Sequence, residues 1–256
     1  MSANLHVHPS KPALASALCS ALVAASVPAI ASRGKFTVAL SGGSIPKLLS
    51  PENLAAAFEE AGVGENVGDW VVLLADERYV SPFHEDSNER ALREDSFVGQ
   101  RKAAFHGIGQ ADGPVEEAAK SYAALVDSVL ASNSAGSLDV CVLGMGEDGH
   151  TCSLFPDHPL LSVVGDDAPS VAYLTDSPKQ PPTRLTLTYP VLNRSRLVLF
   201  CAAGEGKSEV FSKMMRKEEG GAEGVVKCEV VGDQPAGRVR AKEMRWLVDS
   251  GAVSKL

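Results

Sequence analysis

Short apolar runs alternate with longer helix-like segments along most of the chain. Strands are predicted where apolar and β-branched residues cluster, at Phe36–Leu40, Trp70–Ala75, Leu138–Leu143, Ser170–Leu174, Arg184–Thr188 and Arg196–Ala202. Helices are predicted between them, at Pro51–Ala61, Glu89–Asp95, Pro114–Ala131 and Gly206–Lys217. This alternation favours the α/β class, with a mostly parallel sheet covered by helices on both faces. No segment resembles an interdomain linker, so we expect residues 1–256 to form a single domain.

The segment before the first predicted strand is rich in small residues. Ala13–Ser32 consists mainly of Ala, Ser, Leu and Val, which predicts an alanine-rich helix within residues 1–34 that packs on the sheet. The alternative is a targeting segment, because Ala29-Ile30-Ala31 has the form of a small-residue cleavage site. Lys11 is the only Lys or Arg before this run and Pro28 interrupts it, which argues against that alternative. We expect no stretch of about 20 residues to be apolar enough to span a bilayer.

Composition limits the partners and the location of the protein. The 256 residues are 45% hydrophobic and 22% charged, which is ordinary for a globular protein with a sizeable core. The net charge is −8 and Lys and Arg form no long runs, which argues against nucleic acid as a partner but leaves anionic small molecules open. Five cysteines are dispersed without the spacing of metal ligands, as in proteins of a reducing compartment. We therefore expect a cytoplasmic monomer with no metal, no cofactor and no membrane partner.

The most informative segment is Gly144–Thr151, with the sequence G-M-G-E-D-G-H-T. It follows the predicted strand Leu138–Leu143 and so lies at the carboxyl edge of the sheet, where open α/β sheets bind ligands. Its three glycines allow a sharp turn, and Asp148 and His150 stand two residues apart within it. Histidine is the side chain best suited to accept a proton near neutral pH, so His150 and Asp148 are the candidate catalytic residues. Judged on its residues alone, the segment also fits a glycine turn with a surface histidine.

Three other segments at the predicted sheet edge carry polar or charged residues. The loop after the first strand has the backbone N–H groups and hydroxyls of a phosphate cradle, although it lacks P-loop spacing and a plain turn explains it equally well. Its residues are Ser41, Gly42, Gly43 and Ser44. Asp76 and Arg78 follow the second strand, either as site residues or as a loop ion pair. Arg184 and Lys207 stand at strand boundaries, either as substrate ligands or as ordinary solvated charges.

Together these segments resemble the 6-phosphogluconolactonases over most of the chain. The resemblance is carried by Phe36–Pro46, Ala75–Arg78, His84–Asn88, Gly144–Pro156, Arg184–Thr188, Gly204–Lys207 and Pro235–Val253. The string G-M-G-x-D-G-H-T-x-S-L-F-P is highly specific, whereas the first 30 residues match only as a generic helix. Two residues depart from the family pattern, because Glu147 stands where the family usually has Pro and Cys152 where it usually has Ala.

The resemblance implies a Rossmann-like, doubly wound α/β fold and the hydrolysis of 6-phospho-D-glucono-1,5-lactone to 6-phosphogluconate in the oxidative pentose phosphate pathway. It implies that His150 is the general base for an attacking water and that Asp148 orients or stabilises the imidazole. Arg78, Arg184 and Lys207 are then candidate cations for the phosphate, or for the oxyanion, aided by the loop after the first strand. Since no G-x-S-x-G motif is present, no covalent acyl-enzyme is expected.

Two other functions fit parts of the pattern. Glucosamine-6-phosphate deaminases and sugar-phosphate isomerases share the fold and resemble this chain at S-G-G and at G-x-D-G-H, and Asp76 matches the acid that shuttles protons in that branch. They carry a ring-opening Glu five residues after the motif His, where this chain has Phe155, which cannot relay a proton. The second alternative is a non-catalytic sugar-phosphate-binding domain of a transcription regulator. It requires an N-terminal helix-turn-helix, whereas only about 35 alanine-rich residues precede the first strand.

Overall fold

The computed structural model of the chain describes residues 2–133, 136–165 and 167–256. Within these residues the strands are β1 (Ser2–His8), β2 (Phe36–Leu40), β3 (Trp70–Leu74), β4 (Asp76–Arg78), β5 (Ala104–His106), β6 (Val140–Gly144), β7 (Val171–Leu174), β8 (Arg184–Leu187), β9 (Leu197–Ala202), β10 (Met215–Lys217), β11 (Val225–Val230) and β12 (Glu243–Asp249). The α-helices are α1 (Lys11–Arg33), α2 (Ile45–Leu48), α3 (Pro51–Glu60), α4 (Asn88–Asp95), α5 (Val115–Ser132), α6 (Tyr189–Arg194) and α7 (Ser208–Met214). All six predicted strands are present, and three of the four predicted helices have nearly the predicted ends.

Nine of these strands form the main sheet, in the order β10-β11-β1-β12-β9-β6-β2-β3-β5. Neighbouring strands are parallel along the run β1-β12-β9-β6-β2-β3-β5. The remaining strand pairs are antiparallel, since β11 pairs antiparallel with both β10 and β1. The predicted α/β class with a mostly parallel sheet is therefore confirmed. After β2 the chain builds outward through β3 and β5 on one side and then returns through β6 on the other. The loops after β2 and β6 thus diverge at a topological switch point, where sheets of this kind bind ligands.

Both faces of the main sheet are covered. All residues of β2 and β9 are buried, and because successive side chains of a strand point to opposite faces, cover must lie on each side. On β3, Trp70 packs edge-to-face with Phe36 at 4.8 Å and with Phe97 at 5.4 Å between ring centroids. Aromatic pairs of this geometry add roughly 0.5–1.5 kcal/mol beyond the burial of their surface. The core therefore holds the strand ends, and the loops that leave them, in fixed positions.

A second, three-stranded antiparallel sheet of order β4-β8-β7 stands beside the end of β3. Ala75 alone separates β3 from β4, and its carbonyl accepts the N–H of Leu187 at 2.9 Å. The strands predicted near Ser170 and Arg184 are confirmed, but their implied place in the parallel sheet is wrong. β7 and β8 pair antiparallel because no crossover helix separates them. β8 also pairs antiparallel with β4, which sets Arg78 directly opposite Arg184.

The N-terminal helix is confirmed, but not over the whole of residues 1–34. Ser2–His8 form β1 instead, because this segment finds hydrogen-bonding partners on both sides, in β11 and β12. Helix α1 then begins after the N-cap Ser10 and ends at Gly34, whose left-handed φ of 73° closes it. Its buried residues follow the spacing of one helix face, and they are Leu14, Ala15, Leu18, Cys19, Leu22, Val23, Ser26 and Ala29.

The expectation that no stretch is apolar enough to span a bilayer is wrong. Helix α1 has 23 residues and a mean hydropathy of 2.0 over its most apolar window, so it passes that test by length and composition. Core helices and signal sequences pass the same test, and 44% of this window is buried inside the protein. Since α1 packs against α3 and the sheet, its apolar character has an explanation within the fold.

The prediction of a helix over Gly206–Lys217 is wrong at the C-terminal end. A single 3₁₀ turn over Glu205–Lys207 leads into α7, which stops at Met214, and the chain continues as the edge strand β10. Met215 is buried and β10 pairs with β11. Pairing with a distant strand, and not local propensity, decides the conformation here.

Candidate active site

A cavity of about 490 Å³ opens at the topological switch point, bordered by the loops after β2 and β6 and by the small antiparallel sheet. Nine of the ten predicted site residues line it, namely Ser41, Gly42, Gly43, Ser44, Asp76, Arg78, His150, Arg184 and Lys207. The tenth, Asp148, is in direct contact with His150. The fold therefore brings all the predicted site residues together from separate segments of the chain, while their chemical roles remain predictions.

The loop after β6 folds so that Asp148 and His150 face each other. Oδ1 of Asp148 lies 2.5 Å from Nδ1 of His150, and the same oxygen accepts the backbone N–H of His150 at 3.2 Å. Gly149 turns the chain between them at a φ of 82°. Gly146 leaves space for the imidazole, since a Cβ there would stand 2.0 Å from Nδ1. Because Nδ1 of His150 is hydrogen-bonded to Asp148, Nε2 is the ring nitrogen available to the cavity.

The neighbours of Asp148 keep it ionised. Burial alone would favour the neutral acid, but the hydrogen bond and charge of His150, together with Lys179, hold the pKa of Asp148 well below its usual range. At neutral pH this carboxylate is only an acceptor, so the shared proton belongs to Nδ1 of His150. Nε2 then carries the lone pair that a general base needs.

Phe155 supports both the histidine and one of the arginines. Its ring centroid lies 4.7 Å from that of His150 and 5.8 Å from the guanidinium carbon of Arg184. Phe155 is buried, and its packing restricts the orientation of the imidazole. At the position where the deaminases have a proton-relaying Glu, this chain has an apolar ring packed on the imidazole.

Arg78 and Arg184 form a pair of like charges across the small sheet. Arg78 donates from Nη1 to the carbonyl of Asp86 at 2.7 Å, and Arg184 donates from Nε to the carbonyl of Pro181 at 2.9 Å. None of the ion pairs of the described residues includes either guanidinium. Burial, and then the charge of Arg78, lower the pKa of Arg184. Like charges opposite each other across a strand pair are destabilising, and an anion between them removes that cost.

Buried polar contacts fix β4 in place. The carboxylate of Glu77 accepts the backbone N–H of Asn88 at 2.7 Å, at the start of α4. Asn88 in turn donates from Nδ2 to the carbonyl of Asp76 at 2.9 Å. Asn88 also packs on the loop after β2, since a Cβ on Gly42 would fall 1.9 Å from its Oδ1. Only glycine therefore fits at position 42 while Asn88 keeps its place.

Lys207 reaches the cavity from the turn after β9. Burial and the nearby Lys179 lower the pKa of Lys207, although Glu147 and Asp148 act against that shift. Glu147, one of the two departures from the family pattern, extends over this turn, where its Oε1 would meet a Cβ on Gly206 at 2.6 Å. Glu147, in place of the usual Pro, thus adds a carboxylate beside Lys207.

Neither a metal centre nor a reactive thiol is found among the described residues of the site. No group of three or more His, Cys, Asp or Glu side chains in the described part of the chain is arranged to hold a metal ion. Cys152, the other departure, lines the cavity, but burial raises the pKa of its thiol well above the usual value. A buried neutral thiol is a poor nucleophile, so Cys152 is part of the wall. That the protein works without a metal stays a prediction.

The cavity residues that are not predicted site residues include the polar residues Lys179, Gln180 and Asn88. Asn88 belongs to His84–Asn88, a segment that carries the resemblance, but no role is predicted for it. Lys179 and Gln180 belong to the polar, proline-containing segment Ser177–Pro182, which predicts a loop and nothing more. The signal in the sequence that could have placed Lys179 and Gln180 at the site is their position. Their segment leads directly into the strand of Arg184 and so reaches the same edge of the fold.

Comparison with known proteins agrees with the resemblance found in the sequence. Residues 9–247 match the family described as glucosamine-6-phosphate isomerases/6-phosphogluconolactonase. Human 6-phosphogluconolactonase is 40% identical over 189 residues, which cover 73% of this chain and 71% of the human protein. The 6-phosphogluconolactonase of Bos taurus is 37% identical over 231 residues, covering 87% and 81%.

A solved structure supports the same relationship. The crystal structure of a 6-phosphogluconolactonase from Shewanella baltica OS155 matches with a TM-score of 0.72 at 25% identity, covering 96% of this chain and 97% of that one. The predicted Rossmann-like fold and the predicted resemblance are both confirmed. The chain belongs to the glucosamine-6-phosphate isomerase/6-phosphogluconolactonase family.

Proposed function

We propose that this protein is a 6-phosphogluconolactonase, which hydrolyses 6-phospho-D-glucono-1,5-lactone to 6-phosphogluconate in the pentose phosphate pathway. The observation that carries the proposal is the Asp148–His150 pair in a cavity that also presents two opposed arginines. Lactone hydrolysis needs one base and a positioned water, and a phosphorylated substrate needs cations. The family and the mammalian relatives support the same substrate.

In the proposed reaction, a water held at Nε2 of His150 attacks the C1 carbonyl of the lactone. The proton of the water passes to Nε2 while the negative charge moves to the carbonyl oxygen. When the tetrahedral intermediate collapses, the bond from C1 to the ring oxygen breaks and the ring oxygen takes the proton back from the imidazolium. The new carboxylic acid at C1 then ionises by releasing its proton to solvent. Asp148 stabilises the imidazolium between the two proton transfers.

The phosphate is proposed to lie against Arg78 and Arg184, where its charge offsets their mutual repulsion. Lys207 adds a further cation, and Ser41–Ser44 add backbone N–H groups and hydroxyls. The buried Asp76 faces the same cavity and is proposed to accept a hydrogen bond from a sugar hydroxyl. Every group in this scheme is supplied by one copy of the chain.

The experiment that tests the proposal is a coupled assay for 6-phosphogluconate on freshly generated lactone. This lactone also hydrolyses spontaneously, so the measured quantity is the rate in excess of a protein-free control. We expect a clear, protein-dependent excess that scales with protein concentration. A rate equal to the control at all protein concentrations rejects the proposed function.

The rival chemistry is tested in the same preparation with glucosamine 6-phosphate. Deamination and aldose–ketose isomerisation need proton relays at the ring oxygen and at C2, and Phe155 has no group that exchanges a proton. We therefore expect no protein-dependent release of ammonium. Substantial release would favour the deaminase alternative and make Asp76 the next residue to substitute.

We further propose that the protein is a single-domain monomer of the cytoplasm. Nearly all of the buried apolar residues belong to one continuous core, and the five cysteines are all free and buried, as suits a reducing compartment. Light scattering coupled to size-exclusion chromatography is expected to give a mass near 26.8 kDa. A stable dimer would reject the monomer.

A further inference from the structure

Lys179 is a cavity lysine in direct contact with the catalytic pair. Its Nζ lies 3.7 Å from Oδ2 of Asp148, and the other oxygen of that carboxylate lies 2.5 Å from Nδ1 of His150. One carboxylate therefore separates the ammonium of Lys179 from the proposed base. Among the described residues, Lys207 forms no comparable ion pair, although it interacts electrostatically with both Lys179 and Asp148.

The backbone of Lys179 is anchored, while its side chain is free to act in the cavity. The hydroxyl of Ser177 accepts the N–H of Lys179 at 3.2 Å and donates to its carbonyl at 2.8 Å. Nη2 of Arg184 donates to the same carbonyl at 3.1 Å. The side chain is 46% exposed, and at 3.7 Å its ammonium forms an ion pair with Asp148 that is too long for a hydrogen bond. The N–H donors of the ammonium are therefore available to water or substrate.

Three cations of the cavity stand at two places that match the two ends of the substrate. The arginines lie side by side on β4 and β8, whereas Lys179 lies beside the Asp148–His150 pair. In the lactone the phosphate is on C6 and the reacting carbonyl is C1, at opposite ends of the sugar. If His150 delivers water to C1, the cation beside His150 faces C1 and the arginines face the phosphate.

Negative charge appears at C1 twice in this reaction, first on the oxyanion and then on the product carboxylate. We infer that Lys179 is the cation that stabilises both of these charges. This inference rests on the proposed function, and it separates the role of Lys179 from that of the phosphate-binding arginines. It also implies that Arg184 affects catalysis as well as phosphate binding, since Arg184 donates a hydrogen bond to the backbone carbonyl of Lys179.

The test compares two ligands that differ only at C1. The product, 6-phosphogluconate, has a carboxylate there, and sorbitol 6-phosphate has a hydroxymethyl group. For Lys179→Met we expect calorimetry to show binding of 6-phosphogluconate weakened by roughly 10- to 100-fold, the usual effect of losing a hydrogen bond between charged groups. Binding of sorbitol 6-phosphate is expected to stay unchanged. On the lactone we expect kcat to fall by about 10²-fold, the lower end of the loss for one oxyanion donor.

Three variants complete the design. Lys179→Arg keeps the charge and is expected to retain part of the preference for the carboxylate. Lys179→Gln gives the same comparison if the Met variant does not fold. Lys213→Met is the matched control, because Lys213 is an exposed lysine paired with Glu209 on α7, away from the cavity.

The outcomes separate this inference from the proposed function. Equal weakening of both ligands would place Lys179 at the phosphate and overturn the inference, as would unchanged binding of 6-phosphogluconate with unchanged kcat. Either result leaves the lactonase proposal intact as long as the wild-type protein hydrolyses the lactone. A wild-type protein that neither hydrolyses the lactone nor binds either phosphate ester rejects the proposed function itself.

Discussion

The two ends of the cavity are built in different ways. At the end proposed to be catalytic, a single loop after β6 brings both Asp148 and Phe155 into contact with His150 within a few residues of sequence. At the other end, Arg78 and Arg184 are far apart in the sequence and meet only because β4 pairs with β8. The first arrangement depends on local turn geometry, and the second depends on the register of a small sheet.

The two ends also differ in their electrostatics. His150, the proposed base, faces a carboxylate, so attraction holds the pair together before any substrate arrives. The arginines face each other and repel each other. Asp76, Glu77 and Asp86 offset part of this repulsion in the free protein, and a bound anion relieves more of it. The comparison predicts that substitutions at the catalytic end act mainly on turnover, whereas those at the arginine end act mainly on affinity for a phosphorylated substrate.

The largest expected effect is on turnover at the catalytic end. We expect His150→Ala to lower kcat for the lactone by roughly 10²–10⁴-fold, the usual contribution of general-base catalysis, while KM changes little. His106→Ala on the edge strand β5 is the control, since that histidine does not line the cavity. Circular dichroism establishes that both variants are folded. Near-normal turnover in a folded His150→Ala protein would remove His150 from the mechanism.

The next largest effect is expected at the arginine end. Arg78→Met should raise KM for the phosphorylated lactone, since losing a charge-assisted hydrogen bond costs about 1.5–3 kcal/mol, or roughly 10- to 150-fold. Arg184→Met should do the same and also lower kcat, because Arg184 holds the Lys179 backbone. The wild-type protein should accordingly prefer the phosphorylated lactone to gluconolactone. Equal kcat/KM values for the two lactones would show that the arginines serve another purpose.

The same contrast explains how much of the site is predictable from the sequence. The catalytic loop is contiguous, so its glycines, acid and histidine form a motif that a single sequence displays. Arg78 and Arg184 are each predictable as residues at a strand end, but not as a facing pair, because register is a long-range property. Lys179 is missed for a related reason, since a polar loop shows its role only when its contact with Asp148 is known.

The strands, too, are predictable where their signal is local and missed where it depends on distant partners. Strands such as β2 and β9 are recognisable because they are fully buried and therefore almost continuously apolar. Strand β1 is missed although Ala3, Leu5 and Val7 alternate with polar residues, because the segment is short and its partners β11 and β12 lie at the far end of the chain. Strand β10 is missed because three residues carry too little pattern to oppose a helical prediction.

A third prediction concerns Gly42, whose loop packs on Asn88. Gly42→Ala should destabilise the folded protein by about 1–3 kcal/mol, the usual cost of overpacking, because its Cβ would stand 1.9 Å from Oδ1 of Asn88. Displacing Asn88 also breaks its hydrogen bond to the carbonyl of Asp76 on β4, so the phosphate end should lose affinity as well. Gly68→Ala is the matched control, since a Cβ there meets no atom within 4 Å. Equal urea denaturation curves for the two variants would contradict this account of Gly42.

The smallest expected effect tests whether attraction holds the catalytic end together. The pKa of Asp148 is lower in the folded protein than in the unfolded chain, where it is about 3.9. Its charge therefore stabilises the fold fully above about pH 5, and that stabilisation is lost as the pH falls toward the folded value. Asp148→Asn cannot ionise, so the difference in unfolding free energy between wild type and variant should shrink as the pH falls below about 5.

The size of this difference is expected to be small, because the Asp148 side chain is 34% exposed and water screens its interactions. Urea denaturation of the wild type and of Asp148→Asn at a series of pH values measures it. Asp127→Asn, on the exposed face of α5, controls for the loss of one negative charge. A difference that grows as the pH falls would mean that the folded protein favours the protonated acid. Asp148 would then no longer hold His150 by attraction, and the contrast with the arginine end would fail.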